Sequence, residues 1–167
     1  MKISVIIPCY NEKNTIRKLI KKVIVSSDFD KEIIVIDDKS NDGTREILQN
    51  ELTKSVNCLI LNEKNYGKGY SIREGIKRAT GEIILIQDAD LEYDPSEYPK
   101  LINPIINDVA DVVYGSRFVG SGEKRILNYW HSVGNLILTQ LSNMFTNLNL
   151  SDMENCYKVF RSEIIKD

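Results

Sequence analysis

This chain of 167 residues is short of cysteine and histidine, the groups that build zinc cages and disulfide frames. Cysteine occurs three times, at Cys9, Cys58 and Cys156, without metal-binding spacing. An odd number of thiols set in apolar runs reads as reduced core residues of a cytosolic protein. The one histidine, His131, sits beside the one tryptophan, Trp130, and reads as a core or interface packing residue rather than a catalyst. Net charge is almost absent: 22 basic against 24 acidic residues give −2, which offers no electrostatic case for nucleic acid. Long hydrophobic runs are missing too. Met1-Lys2 leads into Ile3-Ser4-Val5-Ile6-Ile7 and then Pro8, too short for a signal peptide or a membrane span. The chain therefore reads as soluble. Repeats and low-complexity tracts are also lacking. The length fits one domain able to bury roughly 70% of its unfolded surface.

What is present alternates. Apolar, β-branched runs at 3–7, 33–36, 58–61, 83–86 and 112–114 have the character of buried parallel strands. Helical patterns separate them. Ile16, Leu19, Ile20, Val23 and Ile24 make one apolar stripe. Ser40-Asn41-Asp42-Gly43-Thr44 supplies turn and capping chemistry before a helix through Glu51. Gly67-Lys68-Gly69 opens a helix to about Ala79, and Pro95 suits the first turn of another through Tyr98 to Ile106. Strands alternating with helices predict right-handed crossovers and a mostly parallel sheet. Residues 116–126 read as a mobile loop, Asn128 to Thr146 as a long helix, and Cys156 to Ile165 as a strand followed by the start of another element. The early end reads as a shortened or minimal form.

The chemistry concentrates at the strand ends. Asp88-Ala89-Asp90-Leu91-Glu92 comes directly after Glu82-Ile83-Ile84-Leu85-Ile86-Gln87. In an extended segment Asp88 and Asp90, two apart, project the same way. Like charges that close repel unless a cation or a donor-rich ligand sits between them. Oxygen-only ligands suit magnesium or manganese, which commonly also hold substrate phosphates. Open parallel sheets bind ligands beyond the carboxyl ends of their strands. That edge receives Pro8-Cys9-Tyr10-Asn11-Glu12, Asp37-Asp38, Asn62 to Lys68, the acidic cluster, and Gly115-Ser116-Arg117.

These segments resemble the family-2 glycosyltransferases of the GT-A fold, most closely the dolichol-phosphate and polyprenol-phosphate mannosyl- and glucosyltransferases. The likeness is carried by residues 5–12, 35–44, 65–69, 88–90, 112–118 and 152–161, in the expected order along nearly the whole chain. It implies an α/β, three-layer α/β/α nucleotide-diphospho-sugar transferase fold with a mostly parallel central sheet. It also implies a single catalytic domain over 1–167, with 1–115 as the nucleotide-sugar-binding half and 116–167 as the acceptor side.

Residue by residue, the resemblance implies that Pro8, Tyr10 and Glu12 flank the base and ribose, and that Asp38 hydrogen-bonds the base. Asp37 reads instead as a capping or structural carboxylate. Asp88 would face the ribose or a metal-bound water. Asp90, with Glu92, would hold Mg2+ or Mn2+ against the diphosphate, and Lys68 would touch that diphosphate or face solvent. Arg117 would bind phosphate bidentately. Arg125, with Lys124, would meet an acceptor phosphate or lipid surface or remain solvated. Asp152 is the candidate for taking a proton from an acceptor hydroxyl, or for positioning an acceptor that is already anionic.

The implied activity is inverting transfer of a hexose, mannose or glucose, from a GDP- or UDP-sugar to a polyprenol phosphate. It would take place in the cytoplasm or at the inner face of the membrane. Peripheral membrane association and a homodimer stay open. Two related alternatives are transfer to a sugar hydroxyl in cell-wall or capsule glycan synthesis, and a nucleotide-sugar-binding module with little activity. A nucleotidyltransferase would want a glycine-rich loop after the first strand, where this chain has no glycine. A phospho-accepting receiver domain would carry its acidic pair after the first strand rather than the second.

Overall fold

The structure, a computed structural model, describes residues 1–116 and 129–167. In chain order the elements are β1 (Lys2–Cys9), α1 (Ile16–Val25), β2 (Asp30–Asp37), α2 (Thr44–Ile47), β3 (Cys58–Leu61), α3 (Lys68–Arg78) and β4 (Ile83–Ile86). Then come α4 (Tyr98–Ile106), β5 (Val112–Tyr114), α5 (Tyr129–Thr146), β6 (Lys158–Arg161) and α6 (Ser162–Lys166). The six strands form one sheet in the order β3-β2-β1-β4-β6-β5. All are parallel except β6, which runs antiparallel between β4 and β5. The sequence segment past residue 116 is thus woven into the same sheet as the first half.

The two faces of the sheet arise from alternation along the strands. Ile3, Val5, Ile7 and Cys9 of β1 join one core with α1 and α4, while Ile6 joins the opposite core with Ile34, Ile36, Ala79 and Ile84. Each isoleucine side chain fully removed from water contributes about 2 kcal/mol. On α1 the buried residues are Ile16, Leu19, Ile20 and Val23, the i, i+3, i+4, i+7 set of one helical face. Ile24, expected in that stripe, is instead 46% exposed, because the face that meets the sheet is narrower than the apolar run. The next helix is capped at Gly43 (φ 102), which has no capping side chain, and Asp42 just before it closes a turn by accepting Thr44 N on Oδ1 at 2.9 Å. That helix is α-helical only to Ile47; Leu48–Leu52 widens into a π-turn and Thr53–Ser55 tightens into a 3-10 turn.

Helix α5 turns a polar face inward. Its buried positions are Asn135 and Thr139, one turn apart. Trp130, Leu136, Ile137, Met144 and Phe145 are exposed, and His131 is exposed too rather than packed in a core. Among the described residues no helix is long and apolar enough to cross a membrane. Cys9 and Cys156 are buried free thiols and Cys58 is half-buried.

Candidate active site

The chain order places β2 and β3 on one side of β1 and β4 on the other, so the direction of winding reverses between β1 and β4. A crevice opens beyond the carboxyl ends of strands at such a point. Here it is a cavity of about 240 Å³ lined by Pro8, Cys9, Tyr10, Glu12, Asp38, Lys68, Ser71, Asp88, Ala89 and Asp90. The strand ends are laddered together at its floor. Asp38 N donates to Cys9 O at 2.8 Å, Asn62 N to Asp37 O at 2.9 Å, and Gln87 N to Ile6 O at 3.0 Å.

Six residues singled out for the nucleotide-sugar, Pro8, Tyr10, Glu12, Asp38, Lys68 and Asp88, lie on this cavity together with Asp90. Tyr10 is a half-exposed rim aromatic. Asp38 is buried, and its carboxylate already accepts Asn62 Nδ2 at 2.7 Å, Tyr66 N at 2.9 Å and Gly67 N at 2.7 Å. Those three bonds shape the 62–67 loop that delivers Lys68. Gly67 (φ 87) stands in the left-handed region that glycine enters without strain. Asp37, fully buried, serves structure: Arg45 Nε donates to its Oδ2 at 2.6 Å, and the same guanidinium reaches Asn62 O at 2.6 Å.

The acidic segment does not continue the strand. β4 ends at Ile86, and residues 88–93 turn, with Leu91 in a left-handed conformation (φ 66). Strand alternation therefore does not govern Asp88 and Asp90; the turn brings both to the cavity. Lys68 Nζ approaches Asp88 Oδ1 to 2.5 Å, and Asp90 Oδ1 accepts Glu92 N at 2.9 Å. Glu92 itself is exposed and does not line the cavity. Burial, and then the Asp88 and Glu92 carboxylates, push the Asp90 carboxyl above its ordinary range. Burial pushes Glu12 up as well, with Asp90, Asp42 and Asp88 adding repulsion.

Crowded, partly buried carboxylates that repel one another are the environment a cation relieves. Among the described residues no three His, Cys, Asp or Glu side chains gather into a ready cage. A magnesium-like ion needs none: it takes one or two carboxylates and completes its shell with phosphate oxygens and water. Asp90, with Asp88 once released from Lys68, fits that donor set.

Asp152 lies elsewhere. It is buried and accepts Asn135 Nδ2 of α5 at 2.8 Å. Met153 N donates to Thr139 Oγ1 at 3.2 Å, and Asn143 exchanges two 2.9 Å bonds with Leu150. The polar face of α5 thus exists to hold the 150–153 segment. Arg117, Lys124 and Arg125 lie outside the described residues.

Sequence reading missed a buried network behind the acidic turn. Gln87 joins Tyr98 of α4 to Tyr157 beside β6, and Cys156 Sγ lies 3.6 Å from Lys68 Nζ. Burial pushes the Cys156 thiol up to about 12, so it is a neutral wall rather than a nucleophile. The one available signal was Gln87 itself, a polar residue closing an apolar run.

The profile of Glycosyl transferase family 2 matches residues 4–167. A dolichol-phosphate mannosyltransferase of Pyrococcus furiosus is 37% identical over 124 residues, covering 74% of this chain and 35% of that protein. An undecaprenyl-phosphate 4-deoxy-4-formamido-L-arabinose transferase of Edwardsiella ictaluri is 30% identical over 171 residues, covering 98% of this chain and 50% of that protein. The chain thus spans half or less of the length of these relatives. Among solved structures, the mannosyltransferase PcManGT of Pyrobaculum calidifontis, in complex with GDP-Man and Mn2+, superposes with a TM-score of 0.67. It is 20% identical, a likeness of fold, over 98% of this chain and 45% of that one.

Proposed function

This chain belongs to glycosyl transferase family 2, and from that premise we propose that it transfers a hexose from a nucleoside-diphosphate sugar to a polyprenol phosphate. The observation that carries the reading is the meeting of the acidic turn and Lys68 on one cavity at the β1–β4 switch point. The two named relatives act on lipid-linked phosphates, and the solved mannosyltransferase holds GDP-Man with Mn2+, which supports both donor class and metal.

In this reading Pro8, Tyr10 and Glu12 border the nucleoside, and Asp38 keeps the loop before Lys68 in shape. Lys68 leaves Asp88 and pairs with the diphosphate when donor enters. The first turn of α3, which contributes Ser71 to the cavity, adds the positive end of a helix. A divalent ion held by Asp90 and Asp88 would offset the charge that develops on the leaving diphosphate. An acceptor phosphate is already anionic, so no strong base is required and rate comes from alignment of the two substrates. That is consistent with the placement of Asp152, buried against α5 rather than on the cavity.

The test is a panel of GDP- and UDP-sugars with manganese, assayed for transfer to a short-chain polyprenyl phosphate and to free glycans. Metal-dependent transfer to the lipid phosphate, lost in Asp90→Ala with the fold retained, is the expected result. Near-normal turnover of Asp90→Ala, or transfer to glycans alone, overturns it.

A further inference from the structure

The end of β4 is secured from behind by one amide. Gln87 is fully buried. Its Oε1 accepts the hydroxyls of Tyr98 at 2.9 Å and Tyr157 at 3.0 Å. Its Nε2 donates to Asp88 O at 2.9 Å and to Tyr93 O at 3.4 Å. A primary amide has two donors and two lone pairs, so each capacity has a partner. The orientation is fixed by those partners, since a flipped amide would set its oxygen against two carbonyls.

The two carbonyls are the first and last of the 88–93 turn. Between them lie Asp90 and the left-handed Leu91 (φ 66), a conformation that persists only where the surroundings over-determine it. The rear wall is continuous: the Tyr93 ring lies 4.9 Å from that of Tyr157, and its hydroxyl accepts Cys156 N at 3.2 Å. Packing alone would be served by an apolar side chain of the same length. An amide that clasps both ends of the turn does something packing cannot.

We propose that Gln87 is the positioning residue of the acidic turn. By closing residues 88–93 it keeps the Asp88 and Asp90 carboxylates directed at the cavity, and so sets the affinity for a divalent cation with a nucleoside diphosphate. The inference rests on the donor-site reading above, and it concerns a residue that touches neither metal nor substrate.

The experiment compares Gln87→Met with the unmodified chain, using manganese with GDP and with UDP in calorimetry and hydrogen exchange across residues 88–93. Loss of an outer partner of a metal site commonly weakens binding about 10- to 100-fold. Gln87→Met should show at least that lower loss, with faster exchange at the Glu92 amide. Turnover at saturating manganese should stay within about threefold while the KM for donor rises, as when binding rather than the chemical step is impaired. Tyr157→Phe is the stability control, because it removes one hydroxyl and leaves both carbonyl bonds of Nε2 in place. It should lower the melting temperature and leave manganese affinity nearly unchanged. Should Gln87→Met fail to fold, Gln87→Glu keeps the tyrosine partners. Held neutral by burial, it leaves one O–H donor in place of the two N–H donors that clasp the turn, and should lose affinity in the same direction.

Unaltered affinity in the Gln87 variants overturns the inference, as does an equal loss in Tyr157→Phe. If the unmodified chain binds no manganese–nucleotide at all, the donor-site reading falls and this inference with it.

Discussion

Lys68 and Asp88 form an ion pair across the cavity, Nζ to Oδ1 at 2.5 Å, with the Cys156 sulfur 3.6 Å from the same ammonium. The lysine side chain is 52% exposed. Asp88 is only 18% exposed, but with its ammonium that open to water the pair is worth on the order of 1 kcal/mol, so it can exchange partners when a diphosphate arrives.

Lys68→Met should therefore have two opposite effects. Loss of a charged hydrogen bond to the diphosphate costs about 1.5 kcal/mol, close to tenfold in nucleotide affinity. Manganese alone should bind more tightly, because Asp88 is freed. Calorimetry with GDP, UDP and manganese separately measures both, and parallel losses would contradict the exchange.

Acid stability should depend on Glu32, at the end of the sheet away from the cavity. Burial would raise its carboxyl, but Ser4 Oγ at 2.6 Å, Thr80 N and Oγ1 at 2.8 Å and Lys2 Nζ at 3.3 Å hold it at about 2. A folded-state value below the unfolded one stabilises above the unfolded value and is lost as pH falls through the folded one. The side chain is 11% exposed, so little of the effect is screened. A depression from 4.5 to about 2 corresponds to about 3 kcal/mol at neutral pH, fading between about pH 5 and pH 2. Urea unfolding at several pH values should show a flatter acid limb for Glu32→Gln.

Arg45→Met should be costly. Asp37 is wholly buried, and its Oδ1 has no hydrogen-bond partner among the described residues. Without Arg45 the carboxylate keeps only Ser40 N at 3.3 Å. Stranding one half of a buried pair costs about 3–5 kcal/mol. The double variant Asp37→Asn with Arg45→Met should recover part of that loss in chemical denaturation. A single variant of unchanged stability would contradict the structural role given to Asp37.

Gly75→Ala tests the seating of α3. An added Cβ would stand 2.5 Å from Ile6 Cγ2 and 3.0 Å from Ile36 Cδ1. Overpacking costs about 1–3 kcal/mol, against less than about 1 kcal/mol gained in helix propensity. The net is a melting temperature lower by several degrees. Because Lys68 begins this helix, donor affinity should fall with it; a raised melting temperature would show that the sheet yields.

Local pattern was enough to assign the strands, the helices between them apart from the stretch after Ile47, and, among the described residues, those that reach the carboxyl edge. β-branched runs of three to eight residues have few alternatives to burial in a sheet, and a parallel sheet carries the residues after each strand to one edge. That is why Pro8, Asp38, Lys68 and Asp90 can be assigned to one site without any distance between them. Long-range packing fixed the rest. The insertion of β6 against the grain of its neighbours depends on pairing between distant segments, which local pattern does not encode. The same is true of the left-handed turn at Leu91, held by Gln87 and two tyrosines remote in sequence. On α5 the burial of Asn135 and Thr139 inverts what hydrophobicity predicts, because hydrogen bonds to residues 150–153, and not apolar contact, set which way that helix faces.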